Sequence, residues 1–349
     1  MKTAPESSKN VDRRKISTLG RYCPLARGVF QRPVNAISVS ITAGDAERLR
    51  KDPRVLRVKK NMNGTVQTTQ IYPGWGLGRL DQLNIGLNNQ YIYNVDGAGQ
   101  AIYILDTGLD LTNPTVAREF GSRAFVIWDV NGASEQDCIG HGASVVSIAA
   151  GNTLGLAKGA TVVAAKITIG CTGNSSADTC VLAFNWLATN APRGTIVNFS
   201  SGLSFGNYIC GDTKIVQAVE DAIRAAYNAG IIMVVAAGND GCNTANYTPT
   251  RMPETFVVGA TDSSGLSVGY DARVSYSRVG SNISVFSPRS KVSAMNLNGD
   301  RGLVVGASFA APYMAGMFAV GCQVVAPFCS SSSSASNSGV VYNGLKKLE

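Results

Sequence analysis

The chain has 349 residues, 45% hydrophobic and 15% charged, with 38 glycines, enough for one large packed domain and a smaller unit beside it. No stretch of 18 or more apolar residues occurs, so no membrane-spanning helix is expected, and MKTAPESSKNVDRRK lacks the apolar segment of a signal peptide. The net charge of +8 is concentrated: residues 1–70 hold 15 Lys and Arg against 5 Asp and Glu, whereas the rest hold 16 against 18. A basic head on a nearly neutral body argues for two units with separate jobs, and against nucleic acid as the body's partner.

Residues 1–33 read as a basic, flexible extension. Over 34–70, AISVSI (36–41) alternates apolar and polar residues as a half-buried strand does. Thr42 then precedes GDAERLRKD with Asp45 three residues on, a capping-box-like helix start. Pro53 ends that helix, and VLRV (55–58) reads as a second strand. Such a unit is too small to hold much of a core alone, and is expected to dock on something larger.

The body spans 71–329. QAIYILDTG, TVVAAKITIG, GTIVNFSSG and IIMVVAAGND are continuous apolar runs of the kind buried on both faces of a parallel sheet. Helices are expected between them, at 141–150, about 177–190 and 214–229. This alternation predicts an α/β fold, a doubly wound and mostly parallel sheet with helices on both faces and its ligand crevice at the carboxyl ends of the strands. Asp106 and Asn239 fall at such ends, and His141 and Ser308 each open a helix, where the dipole favours developing negative charge. Residues 330–349 form a Ser-rich linker and tail.

Three separated stretches each set one polar residue in a glycine-bracketed apolar frame: IYILDTGLD around Asp106, CIGHGASVVSIAAG around His141, and GLVVGASFAAPYMAG around Ser308. Asp, His and Ser are the groups a nucleophilic hydrolase needs, and His141 is the only histidine. Their order, at separations of 35 and 167 residues, is that of subtilisin. Chymotrypsin-like enzymes run His, Asp, Ser; α/β-hydrolases run Ser, Asp or Glu, His around a G-x-S-x-G elbow that is absent here.

With WGLGRLDQ (75–82), NNQYIYNVDGAGQAIYILDTGLD and GNTLGLAKGATVVAAKI, residues 72–325 resemble the subtilisin-like serine proteases, and within them the proteinase K-like group. Residues 34–70 resemble that family's inhibitor-type propeptide, a small α/β chaperone whose tail lies in the active site until cut. The resemblance implies Ser308 as nucleophile, His141 as general base and then acid, and Asp106 as its orienter. It implies Asn239 as an oxyanion donor, Ser200, Ser201 and Gly202 as a strand that binds substrate backbone, and Ala237 and Gly238 as lining the first specificity pocket. The chain departs from the family at Ala143 and Ala307, where Thr is usual, and at Tyr313, where His is frequent.

The cysteines number eight, with no C-x-x-C pair, which argues against zinc and, at this density, for an oxidising compartment. Cys138 and Cys171 match a disulfide of bacterial proteinase K-like enzymes. Cys242 has a family counterpart whose usual partner position falls at Asn282, which leaves Cys210 as its candidate partner. Cys322–Cys329 would close a short loop, Cys180 is left over, and Cys23 would depart with the propeptide. The family often binds calcium, and Pro253 and Thr255 occupy two carbonyl-ligand positions; the carboxylate position falls at Ser284, so no cofactor is expected there. The whole reads as a secreted, monomeric serine endopeptidase made as a self-processing zymogen. Its partners are polypeptide substrates and its own propeptide, with no nucleic acid and no membrane. The alternatives are an inactive peptide-binding relative and a transpeptidase or cyclase.

Overall fold

The computed structural model describes residues 26–30, 36–39, 42–53, 55, 58, 68–82, 87–129, 136–203, 210–264, 271–321 and 339–340. The chain divides into two compact units, Met1–Val66 and Gln67–Glu349.

In the first unit β1 (Ala26–Phe30) pairs antiparallel with β2 (Ala36–Val39), and α1 (Ala43–Arg50) follows. Thr42 caps α1 as expected: its Oγ1 accepts from Asp45 N at 3.2 Å and donates to Asp45 Oδ2 at 2.8 Å. The strand expected over 55–58 is not formed at Val55 or Val58, and residues 56–57 lie outside the described ones. The partner of β2 comes instead from upstream, inside the segment assigned to a flexible basic extension. A strand needs a ladder for its backbone N–H and C=O groups, and the nearby ARGVF supplies one although Arg27 breaks its apolar pattern.

The second unit is built on a sheet of β5 (Ala101–Asp106), β6 (Ala124–Asp129), β7 (Thr161–Lys166), β8 (Ile196–Phe199), β9 (Ile232–Ala236), β10 (Thr255–Asp262), β12 (Ile283–Pro288) and β15 (Gly339–Val340). Their order is β15-β12-β10-β9-β8-β5-β7-β6, every pair parallel, with β11 (Ala272–Arg273) antiparallel on β10. Two antiparallel pairs flank it: β3 (Thr68–Ile71) with β4 (Gln90–Tyr93), and β13 (Ser290–Met295) with β14 (Arg301–Val305).

Alternation along each strand divides the core. Ile102, Ile104, Val162, Ala164 and Val234 pack with α4 (His141–Ala150) and α7 (Ala311–Ala319) on one face. Leu105, Ala165, Val197, Phe199 and Val235 pack with α5 (Ala177–Asn190) and α6 (Gln217–Asn228) on the other. Two shorter helices, α2 (Trp75–Arg79) and α3 (Pro114–Phe120), complete the set among the described residues. This is the expected doubly wound, mostly parallel α/β sheet with helices on both faces. The 214–229 helix starts later than expected, because Lys214 N is drawn into a backbone bond with Asn246 O at 2.7 Å.

Candidate active site

Three neighbouring strands deliver their carboxyl ends to one rim. Asp106 is the last residue of β5, Ser200–Gly202 follow β8, and Gly238 and Asn239 follow β9. The amino-terminal ends of α4 and of the Ala307–Phe309 turn before α7 bring His141 and Ser308 to the sequence's other two candidate positions. The GHG frame has a steric reason at each glycine. Gly140 takes φ +88°, a left-handed conformation that glycine adopts at no steric cost. A Cβ on Gly142 would strike the Gly108 carbonyl oxygen.

Asp106 is fully buried, and its Oδ1 lies 2.6 Å from His141 Nδ1 while also accepting from Thr107 N at 2.8 Å. That contact assigns the proton to Nδ1 and leaves Nε2 as the basic nitrogen. Burial pushes the His141 pKa down, but the Asp106 charge, its hydrogen bond and then the Asp137 charge outweigh it, and the net shift is upward from 6.5. The imidazole packs on Phe309, next to Ser308, with ring centroids 5.0 Å apart. No hydrogen bond joins His141 to Ser308 Oγ among the described residues, and proton-transfer contacts of this kind are often long in unliganded enzymes.

Asn239 Oδ1 accepts from Ala307 N at 2.7 Å, which ties the amide to the nucleophile turn through its oxygen and not its Nδ2 donors. Ser200 Oγ donates to the Ser308 carbonyl at 2.8 Å and accepts from the fully buried Asn198 Nδ2 at 2.8 Å. Ser200, Ser201, Gly202, Gly238, Asn239 and Ser308 all line one cavity of about 240 Å³. Ala237 does not: it is fully buried in the core beneath, its N–H donated to Val258 O at 2.9 Å, and Ala236 takes its place in the wall. Strand alternation turns one side chain inward for each turned outward, so adjacent Ala236 and Ala237 cannot both face the cavity.

Sequence reasoning missed several contributors. Asp137 Oδ1 accepts from Ile139 N, Gly140 N and Thr107 Oγ1 at 2.8–2.9 Å, and its Oδ2 from Ala143 N at 2.9 Å. Thr107 Oγ1 accepts in turn from Gly142 N at 2.8 Å. An acidic residue just before a helix was a readable capping signal, four residues ahead of His141. Arg278 and Asp240, which also line the cavity, carried no such signal because they are distant in sequence.

Disulfides join Cys138 to Cys171, the pairing the resemblance implied, and Cys210 to Cys242, the partner left to Cys242 once its usual position fell at Asn282; Cys180 is free and buried. Cys23, Cys322 and Cys329 lie outside the described residues. Ser284 Oγ accepts from Val257 N at 3.1 Å.

A model of the subtilase family matches residues 97–335. Alkaline serine exoprotease A of Vibrio alginolyticus is 31% identical over 309 residues, covering 86% of this chain and 54% of its own length. The extracellular serine proteinase of Thermus sp. (strain Rt41A) is 30% identical over 309 residues, covering 87% of this chain and 70% of its own. The chain thus spans about half the length of the first relative and 70% of the second. A solved cold-adapted subtilisin-like serine proteinase superposes with a TM-score of 0.62 at 30% identity, over 70% of this chain and 83% of that one. With the family model matched over more than half of its residues, on a fold that these relatives share, the chain belongs to the subtilase family.

Proposed function

We propose that this protein is a secreted serine endopeptidase in which Asp106, His141 and Ser308 act as one unit. The observation that carries the reading is the 2.6 Å contact between buried Asp106 and the sole imidazole of the chain, whose ring packs on Phe309 next to Ser308. Ser308 Oγ attacks the peptide carbonyl carbon as His141 Nε2 takes its proton, and Asp106 stabilises the resulting imidazolium through Nδ1–H. Asn239 Nδ2 and the Ser308 backbone N–H donate to the tetrahedral oxyanion. Collapse expels the amine, which takes the proton back from His141, and water then resolves the acyl-enzyme by the reverse proton path. Ser200, Ser201 and Gly202 hold the substrate backbone as an added strand.

The Met1–Val66 unit, with its concentrated positive charge, is proposed as a propeptide that the zymogen removes from itself. Secretion is consistent with the two disulfides. A fluorophosphonate probe tests the central assignment together with product masses from a peptide digest. Labelling at Ser308 and products carrying one added water support it. A folded, processed sample that does not label overturns it, and products lacking the water make the enzyme an amine-resolving transpeptidase instead.

A further inference from the structure

Among the described residues lining the cavity beside Ser308, two carry charge, and they are engaged with each other. Arg278 Nε and Nη2 donate to Asp240 Oδ1 and Oδ2 at 2.8 and 2.6 Å, a bidentate pair whose side chains are 9% and 17% exposed. The guanidinium lies on the face of Tyr247, its Cζ 3.6 Å from the ring centroid. Asp240 Oδ1 also accepts from Cys242 N at 3.1 Å, in the turn that the Cys210–Cys242 disulfide anchors. Gly238 leaves the room this needs: a Cβ there would come 2.6 Å from Arg278 Nε. The pair is therefore held in place by a ring, a disulfide-anchored turn and the absence of a side chain.

A matched pair of this kind presents no net charge to the cavity, and each partner's strongest hydrogen-bonding directions are already used. A charged substrate side chain entering here gives up its hydration, meets one like charge, and finds the opposite charge engaged. An uncharged side chain meets Phe199, Leu203 and Pro249 at no such cost. We propose that the Arg278–Asp240 pair is the specificity determinant of this pocket: intact, it admits an uncharged side chain on the residue whose carbonyl Ser308 attacks and rejects acidic and basic ones. Opened from one side, it becomes a receptor for charge. Removing the Asp240 carboxylate leaves a cation that recruits Glu, and removing the Arg278 guanidinium leaves an anion that recruits Lys. This rests on the peptidase reading above.

The test uses protein expressed full-length and allowed to process itself, and four peptides that differ only at that residue: Leu, Gln, Glu and Lys. Wild type is expected to favour Leu and Gln over Glu and Lys by about 100-fold or more in kcat/KM. D240N is expected to raise the Glu-to-Leu ratio by about tenfold or more, and R278Q the Lys-to-Leu ratio by as much, each without the other gain. Each ratio is taken within one protein, so a reduced folded fraction cancels. The charge-swapped D240R/R278D variant rebuilds the pair and is expected to return towards the wild-type ratios. Wild type that cuts the Glu or Lys peptide as well as the Leu peptide overturns the proposal, as do variants whose ratios stay within about twofold of wild type. Wild type that cuts none of the four overturns the peptidase reading instead.

Discussion

Asp137 stands four residues ahead of His141, in the turn that leads into α4, and its carboxylate fixes the backbone from which the histidine projects. Its two oxygens take the N–H groups of Ile139, Gly140 and Ala143, either side of the histidine, at 2.8–2.9 Å. A second buried anion thus stands behind the one that touches Nδ1, and it adds to the upward shift of the His141 pKa. Catalysis needs the neutral imidazole, so activity is lost as pH falls through that raised value. kcat/KM is expected to fall about tenfold per pH unit below a single midpoint above about 6.5, and Asp137→Asn moves the midpoint to lower pH. A pH profile on a small peptide substrate checks both, and a higher midpoint in the Asn variant contradicts the arrangement.

His141→Ala is expected to remove nearly all peptidase activity, leaving about 10³–10⁴ over the uncatalysed rate from binding and the oxyanion donors. Because the chain holds no second histidine, a variant that keeps more than about one per cent of wild-type kcat/KM takes His141 out of the mechanism.

Asn239→Ala should lower kcat by about 10²–10³ with little change in KM, since its Nδ2 meets charge that develops only in the transition state. Asn239→Asp keeps an oxygen for Ala307 N but lacks the amide donor, and should lose at least as much. Equal loss in KM and none in kcat assigns Asn239 to ground-state binding.

Maturation is expected by self-cleavage between about Thr65 and Trp75, a segment in which Ile71 and Tyr72 are 53% and 72% exposed. Purified Ser308→Ala should stay full length under conditions in which wild type loses its basic head, and the wild-type product should shift to an acidic isoelectric point. An alanine variant that matures equally well in isolation means the cut comes from elsewhere.

The Cys138–Cys171 bridge closes 33 residues between the His141 turn and the end of β7. Replacing both cysteines by alanine is expected to cost roughly 3–4 kcal/mol in denaturant unfolding, the loop-closure value for that length. A loss below about 1 kcal/mol shows that the turn is held by Asp137 without the bridge.

What was legible in the sequence was local. Runs such as AIYILD and IIMVVA announced buried parallel strands because both faces of each are covered, and α4 and α5 came out at 141–150 and 177–190 as read. The lone histidine and its glycines marked the site through their own residue types, although what Gly142 must clear, the Gly108 carbonyl, lies well upstream. Illegible were contacts whose partners lie far apart. Nothing near Asp240 announces Arg278, 38 residues on, and nothing in ISVSI chooses an upstream partner strand over a downstream one. Ala237 was misplaced because the end of a strand was read without its face.

Ser200 and its neighbours, Asp106 and Asn239 stand at the ends of β8, β5 and β9, which are adjacent in the sheet. Neighbouring strands sit about 4.8 Å apart because backbone hydrogen bonds set that pitch. The backbone therefore serves as a ruler for the groups these three strands carry, graduated by something no side-chain substitution can rescale. Mutation can repaint the cavity wall, as at Arg278 and Asp240, while the spacing of the chemistry stays put. Selectivity can drift in such a protein far faster than mechanism.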